Sequence, residues 1–214
     1  MPKLSLEWPR DSGGYAFSYE RPSTSLLELD EPVGDPWIRG LGGAINHYDC
    51  MKLEGLYRRF AGYPANKKGA LAFVKKHGFL KAKLPNSKEA VRTICDAIRE
   101  MSLLLRAKDR GDWAALNSWL KKNRRSRDFI RVDPVLIGGS PPQLFYQPAS
   151  LRDAIFLQFF EDLSTGATLK HCKRPGCEEW FRFGPGTGHR STAEYCSPKC
   201  QKAHDYAKRK EGAV

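Results

Sequence analysis

Two pairs of cysteines near the end of the chain have the residue type and spacing that best suit a chemical role. Four residues that include Pro-Gly separate Cys172 from Cys177, three separate Cys196 from Cys200, and eighteen lie between the pairs. Four thiolates are a preferred ligand set for structural zinc, which they hold in a closed tetrahedron. The spacing therefore predicts one structural zinc ion bound by Cys172, Cys177, Cys196 and Cys200.

Other interpretations of these cysteines stay open at the level of sequence. The thiols could form disulfides or remain free, and His171, His189 or His204 could replace one cysteine as a ligand. The first ten residues contain no apolar run of the kind that a signal peptide requires. We therefore expect a cytoplasmic protein, and the reducing cytoplasm favours metal binding over disulfides.

The sequence predicts that the chain is not an enzyme. A site with four thiolates has no open position for an activated water. His47 lies three residues before Cys50, but no third partner completes a catalytic group, and we find no phosphate-binding loop or paired carboxylates. Cys50 and Cys95 are interpreted as small buried side chains.

Short elements must position the four cysteines. Extended runs at 168–171 and 179–183 flank the first pair, and Ser197 and Pro198 are typical of a helix start, which places the second pair on that helix. A hairpin followed by a helix that presents the last two ligands is the arrangement of a treble-clef zinc finger. Its small core is expected to contain Trp180, Phe181, Phe183 and Tyr195.

The helix that begins at Pro198 is strongly basic. On a helical projection Cys200, Ala203 and Ala207 are expected to face the metal and core, and the basic residues share the outward face. A basic stripe with one aromatic side chain suits phosphate contact combined with base contact. The predicted nucleic-acid-binding residues are Arg182, Arg190, Lys199, Lys202, Tyr206, Lys208, Arg209 and Lys210. Alternatively, some of these cations offset the charge of the thiolates, or the face is solvated or binds a protein.

The composition agrees with an anionic partner. The 214 residues include 36 Lys and Arg against 24 Asp and Glu, which gives a net charge of +12. The charge is uneven, because residues 1–36 are acidic, residues 55–88 contain nine bases and no acid, and a second basic run covers 121–127. No segment approaches the roughly 20 apolar residues of a membrane span, so we expect no membrane contact.

The expected fold class is mainly α with a small β element (α+β). Apolar spacing predicts helices over 53–60, 66–77, from Ser87 to Gly111, over 112–120 and over 151–164. An irregular acidic start with one strand near 14–19, and a β-hairpin near 129–147, complete a helical domain over 1–166. The zinc-finger module occupies 167–214.

The run from Ser150 to Lys210 resembles the zinc-finger module of bacterial CGNR-type proteins. Matching features are Ser150-Leu151 at the start of an apolar helix, Trp180-Phe181 after the first cysteine pair, and the basic tail after Cys200. The family's Cys-Gly-Asn-Arg motif is here Cys-Gln-Lys-Ala, and its arginine-rich segment before the third cysteine is reduced. The resemblance implies a helical ABATE domain before the finger and a role as a stress-induced transcription regulator.

Together these features predict a zinc-binding transcription regulator that binds nucleic acid, with DNA favoured over RNA. The alternatives are a zinc-stabilised module for protein–protein interaction and an RNA-binding protein. The sequence leaves open the target site, the oligomeric state and any signal sensed by the helical domain.

Overall fold

The computed structural model describes residues 7–18, 36–42, 44–81, 87–123, 130–135, 143–184 and 189–211. It confirms a mixed α+β fold of helices and small antiparallel sheets. The described residues form two compact units. One comprises those up to Lys52 together with 57–157, and the other comprises 53–56 and those from Gln158 onward. The division falls inside a helix, earlier in the chain than the predicted boundary at 166.

The first unit contains more strand than the sequence predicts. β1 (Glu7–Asp11) pairs with β4 (Ile45–Asp49), and β3 (Trp37–Gly40) lies between β2 (Tyr15–Ser18) and β5 (Lys88–Ala90). The strand expected near 14–19 is confirmed as β2. An irregular start is wrong for residues 7–18, because long-range pairing stabilises strands too short for a clear alternating pattern.

The helices of the first unit follow the predicted order. They are α1 (Leu56–Gly62), α2 (Lys67–His77), α3 (Val91–Asp109) and α4 (Trp113–Lys122). The first residue of α1, Leu56, is assigned to the other unit. A 3-10 turn covers Cys50–Lys52. The Asp112 carboxylate accepts a hydrogen bond from the Ala115 amide at 3.0 Å, which confirms it as the α4 cap. The predicted Ser87 cap of α3 is wrong, since β5 intervenes and the helix begins after Ala90 without a side-chain cap.

The predicted hairpin is present, and an apolar helix follows it. β6 (Ile130–Val135) pairs antiparallel with β7 (Gln143–Pro148), while residues 124–127 of the second basic run lie outside the described ranges. α5 (Leu151–Thr165) is capped by Ser150, whose hydroxyl accepts a hydrogen bond from the Asp153 amide at 3.1 Å. The buried rings of Phe156 and Phe159 confirm the core role of this helix.

The main part of the second unit begins at Gln158, inside α5. After α5 ends, β8 (Thr168–His171) and β9 (Trp180–Phe183) pair antiparallel, and α6 (Pro198–Glu211) follows. These are the elements that the sequence predicts around the cysteines. Among the described residues, no helix is both long enough and apolar enough to cross a membrane.

Gly78, just after α2, tests the packing of β1 against this helix. Its φ is +85°, and a Cβ there would lie 2.6 Å from the carbonyl oxygen of Pro9, next to the indole of Trp8. We expect Gly78→Ala to lower the free energy of unfolding by about 2 kcal/mol or more, since strain adds to the clash. Urea unfolding measures the change.

The matched control is Gly62→Ala at the end of α1, where a Cβ meets nothing within 4 Å. This change should leave stability unaltered or raise it by up to about 1 kcal/mol, the difference in helix propensity. Equal effects of the two changes would contradict the packing of β1 at Gly78.

Candidate metal centre

The four cysteine sulfurs of the second unit lie together, within 4.8 Å of one another. The Sγ of Cys177 is 3.8 Å from those of Cys196 and Cys200, and the Sγ atoms of Cys196 and Cys200 are 3.5 Å apart. A tetrahedral zinc site with bonds of about 2.3 Å has sulfur–sulfur edges of about 3.8 Å. The group can therefore hold one metal ion with little rearrangement.

These distances also separate the metal interpretation from its alternatives. A disulfide requires about 2.05 Å between sulfurs, and all four thiols are free. The histidines that could replace a cysteine have other neighbours: His171 lies against the Trp180 ring, and His189 against the ring of Phe181. His204 contacts the Tyr195 hydroxyl through Nδ1 at 3.0 Å.

A tight turn positions the first pair. The Cys177 amide donates to the Arg174 carbonyl at 3.0 Å, and the Cys172 amide donates to the Glu179 carbonyl at 2.9 Å. The first bond closes the turn, and the second joins its two arms directly beyond the β8–β9 ladder. Both sulfurs thereby project from one end of the hairpin, and both residues are buried.

The segment before α6 brings the second pair against this turn. The Lys173 amide donates to the Glu194 carbonyl at 3.0 Å, and the side chains of the same two residues form an ion pair. Ser197 then begins the helix, with its hydroxyl 3.3 Å from the amide of Cys200. Hydrogen bonding by Ser197 lowers the pKa of the Cys200 thiol to about 7, whereas burial raises the pKa of Cys196.

Arg174 is a neighbour of the sulfurs that the sequence interpretation missed. The nearby thiols of Cys177 and Cys200 raise the pKa of its guanidinium. Four thiolates around a divalent ion carry a net charge of −2, so a guanidinium at this place offsets half of it. The position inside the Cys-x4-Cys turn is the signal that could have identified it.

Arg182, one of the predicted nucleic-acid-binding residues, is engaged within its own unit. Its guanidinium lies 2.6 Å from the Asp162 carboxylate and 3.5 Å from that of Glu161. Its backbone amide donates to Glu54 at 2.8 Å. The Asp162 side chain is only 2% exposed, so the arginine neutralises a buried charge.

The turn at 53–56 belongs to the same unit. The side chain of Gln158 donates to the Leu53 carbonyl at 3.1 Å and accepts from the Leu56 amide at 3.2 Å. Between them, a Cβ at Gly55 would lie 2.7 Å from that of Trp180. The hairpin of the metal centre therefore packs on a segment more than 100 residues earlier in the chain.

The remaining predicted nucleic-acid contacts are exposed. Arg190 lies before the second cysteine pair, and the others lie on α6: Lys199, Lys202, Tyr206, Lys208, Arg209 and Lys210. Ala203 and Ala207 are exposed as well, so the expectation that they face a core is wrong. Helical spacing placed them on the side of Cys200, but after Cys200 only His204, which contacts Tyr195, is partly covered among residues 201–210.

Comparison of the chain with protein-family models, with curated proteins and with solved structures gives no match. Membership of the CGNR family therefore stays a prediction.

Replacement of one ligand tests the metal centre. We expect Cys172→Ala to reduce the bound metal from one ion per chain to less than about 0.1 ion per chain at the same free-metal concentration. The reason is that three thiolates cannot complete a tetrahedral coordination shell. Elemental analysis after gel filtration measures it. Cys95→Ala, a buried cysteine of α3, is the control and should retain one ion.

Arg182 and Arg190 form a second matched pair. Arg182→Ala leaves the buried Asp162 carboxylate without its guanidinium and should cost about 3 kcal/mol of unfolding free energy. Arg190→Ala removes an exposed side chain and should change stability by less than about 0.5 kcal/mol. Thermal or urea unfolding of the metal-loaded chain distinguishes them, and similar losses would contradict the role of Arg182.

Proposed function

We propose that the chain is a zinc-dependent DNA-binding protein in which a treble-clef finger presents α6 to the duplex. The observation that supports this most directly is the exposure of α6. Of its residues 201–210, every side chain except His204 is exposed, and Tyr206 is 63% exposed. A helix that packs on its own protein normally buries an apolar face, which this one lacks.

The attachment of α6 is confined to its first two turns. Cys200 ties it to the metal centre, and His204 ties it to Tyr195, which itself packs on the cysteines. Isolated helices of this length are marginal in water. A partner that contacts the exposed turns therefore stabilises them, and zinc fixes the end from which they project.

The charge of α6 selects an anionic partner. The helix contains five cations, Lys199, Lys202, Lys208, Arg209 and Lys210, against the two acids Asp205 and Glu211. The Lys210 ammonium also lies over one face of the exposed Tyr206 ring, 5.2 Å from its centre. Cations with one aromatic suit phosphates together with bases.

Duplex DNA fits this helix better than duplex RNA does. The major groove of B-DNA admits an α-helix, whereas that of A-form RNA is too deep and narrow. Zinc is the metal of choice because four thiolates with edges near 3.8 Å match its tetrahedral preference. In this proposal zinc is structural, and regulation of transcription follows from the resemblance to CGNR-type proteins.

Binding of a mixed-sequence duplex of about 25 base pairs tests the proposal. The triple variant Lys199→Gln, Lys202→Gln, Arg209→Gln should bind at least about tenfold more weakly at 0.1 M salt. Loss of three phosphate contacts should also reduce the slope of log K against log salt by about 2.7. Fluorescence anisotropy of the zinc-loaded protein at several salt concentrations measures both quantities.

The control removes the same charge elsewhere, at the exposed Lys52, Lys121 and Lys122, as glutamine substitutions. It should change the affinity less than about threefold. Equal affinity of the α6 variant and the unaltered protein would overturn the proposal. Loss of affinity for a single-stranded RNA alone would favour the RNA-binding alternative.

A further inference from the structure

A second basic surface lies on α3, in the first unit, where the sequence analysis placed no binding residue. Six exposed positions follow one another at spacings of four and three residues, so they share one narrow face of the helix. We name this face the arginine stripe. It consists of Arg92, Asp96, Arg99, Leu103, Arg106 and, at the end of α3, Arg110.

The stripe is long and regular. From Arg92 to Arg110 the helix rises about 27 Å, and Arg92, Arg99 and Arg106 follow at intervals of about 10.5 Å. Four guanidiniums against one carboxylate give it a net charge of +3. A solvated helix face more often interleaves charges of both signs, which stabilise the helix through i,i+4 pairs.

The internal partners of the stripe bind weakly. Asp96 lies 2.7 Å from Arg99 and 3.7 Å from Arg92, and all three side chains are more than half exposed. Exposed pairs of this kind contribute well under 1 kcal/mol, so an incoming anion competes with them easily. Arg106 and Arg110 form no ion pair with any described residue.

The other carboxylates of α3 are engaged away from the stripe. Glu100 binds Arg152 at 2.9 Å and accepts from the Trp119 indole at 2.8 Å. Asp109 lies 3.7 Å from Arg58 of α1. Neither acid therefore neutralises the stripe, which faces solvent with its charge largely uncompensated.

The start of α2 extends this charge. Arg99 donates through its second guanidinium nitrogen to the Ala65 carbonyl at 3.2 Å, two residues before α2 begins. Lys67 and Lys68 are exposed at that helix start. The middle of the stripe therefore lies beside two further cations.

We propose that the arginine stripe is a second nucleic-acid surface, which binds the phosphate backbone without reading sequence. Guanidiniums match phosphate oxygens with two parallel hydrogen bonds, which lysines do not form. One DNA strand presents about eight phosphates over 27 Å, enough to engage every arginine of the stripe. The proposal rests on the proposed function for its class of ligand, but on residues of the other unit.

The test uses the full zinc-loaded chain and the same 25-base-pair duplex. The variant Arg99→Gln, Arg106→Gln, Arg110→Gln should weaken binding at least about tenfold at 0.1 M salt and reduce the salt slope by about 2.7. The corresponding Arg→Lys variant keeps the charge and should restore the salt slope in full but the affinity only in part, because lysines form no paired hydrogen bonds with phosphate. The Lys52, Lys121 and Lys122 control excludes an effect of net charge, and thermal unfolding verifies that each variant is folded.

Unchanged affinity and slope in the Arg→Gln variant would overturn the proposal, as would an equal loss in the lysine control. A loss of affinity for poly-glutamate, with duplex binding intact, would assign the stripe to an acidic protein and overturn it too. The two surfaces fail separately. If only the α6 variant loses affinity, the stripe proposal is wrong, and if only the stripe variant does, the finger proposal is wrong.

Discussion

The second unit depends on the close approach of four cysteine sulfurs, three of them on buried residues. Four sulfurs within 4.8 Å of one another cannot all be ionised without a metal, because desolvation and like charge both oppose it. A divalent ion at their centre would attract all four thiolates, and this attraction would outweigh their mutual repulsion. In zinc-finger peptides, which have few large apolar side chains, metal binding of this kind supplies about 10–16 kcal/mol of folding energy.

The cations near the cysteines divide into groups with different roles. Arg174 lies against the sulfurs and offsets their charge, and Arg182 neutralises the buried Asp162. The exposed lysines of α6 and Arg209 form no such contact with the sulfurs or with Asp162, and in the proposed function they contact the nucleic acid. The net charge of +12 is thus less informative than the neighbours of each cation, and the arginine stripe of α3 is apparent only from such neighbours.

Local signals in the sequence predicted the elements around the metal centre. The turn is predictable from Pro-Gly between Cys172 and Cys177, and the helix start from Ser197-Pro198 before Cys200, because both signals act over a few residues. The pairing of β1 with β4 could not be predicted in this way, because it joins residues about forty positions apart. Nor could helical spacing show that Ala203 is exposed, since exposure depends on whether another element lies opposite.

The account depends most directly on the ligands and the metal of the cysteine centre. X-ray absorption spectroscopy of the full chain at the zinc edge measures the number, type and distance of the donor atoms. We predict four sulfur ligands at about 2.3 Å and no nitrogen or oxygen ligand. A first shell with a histidine nitrogen at about 2.0 Å, or purified protein without bound zinc, would contradict it.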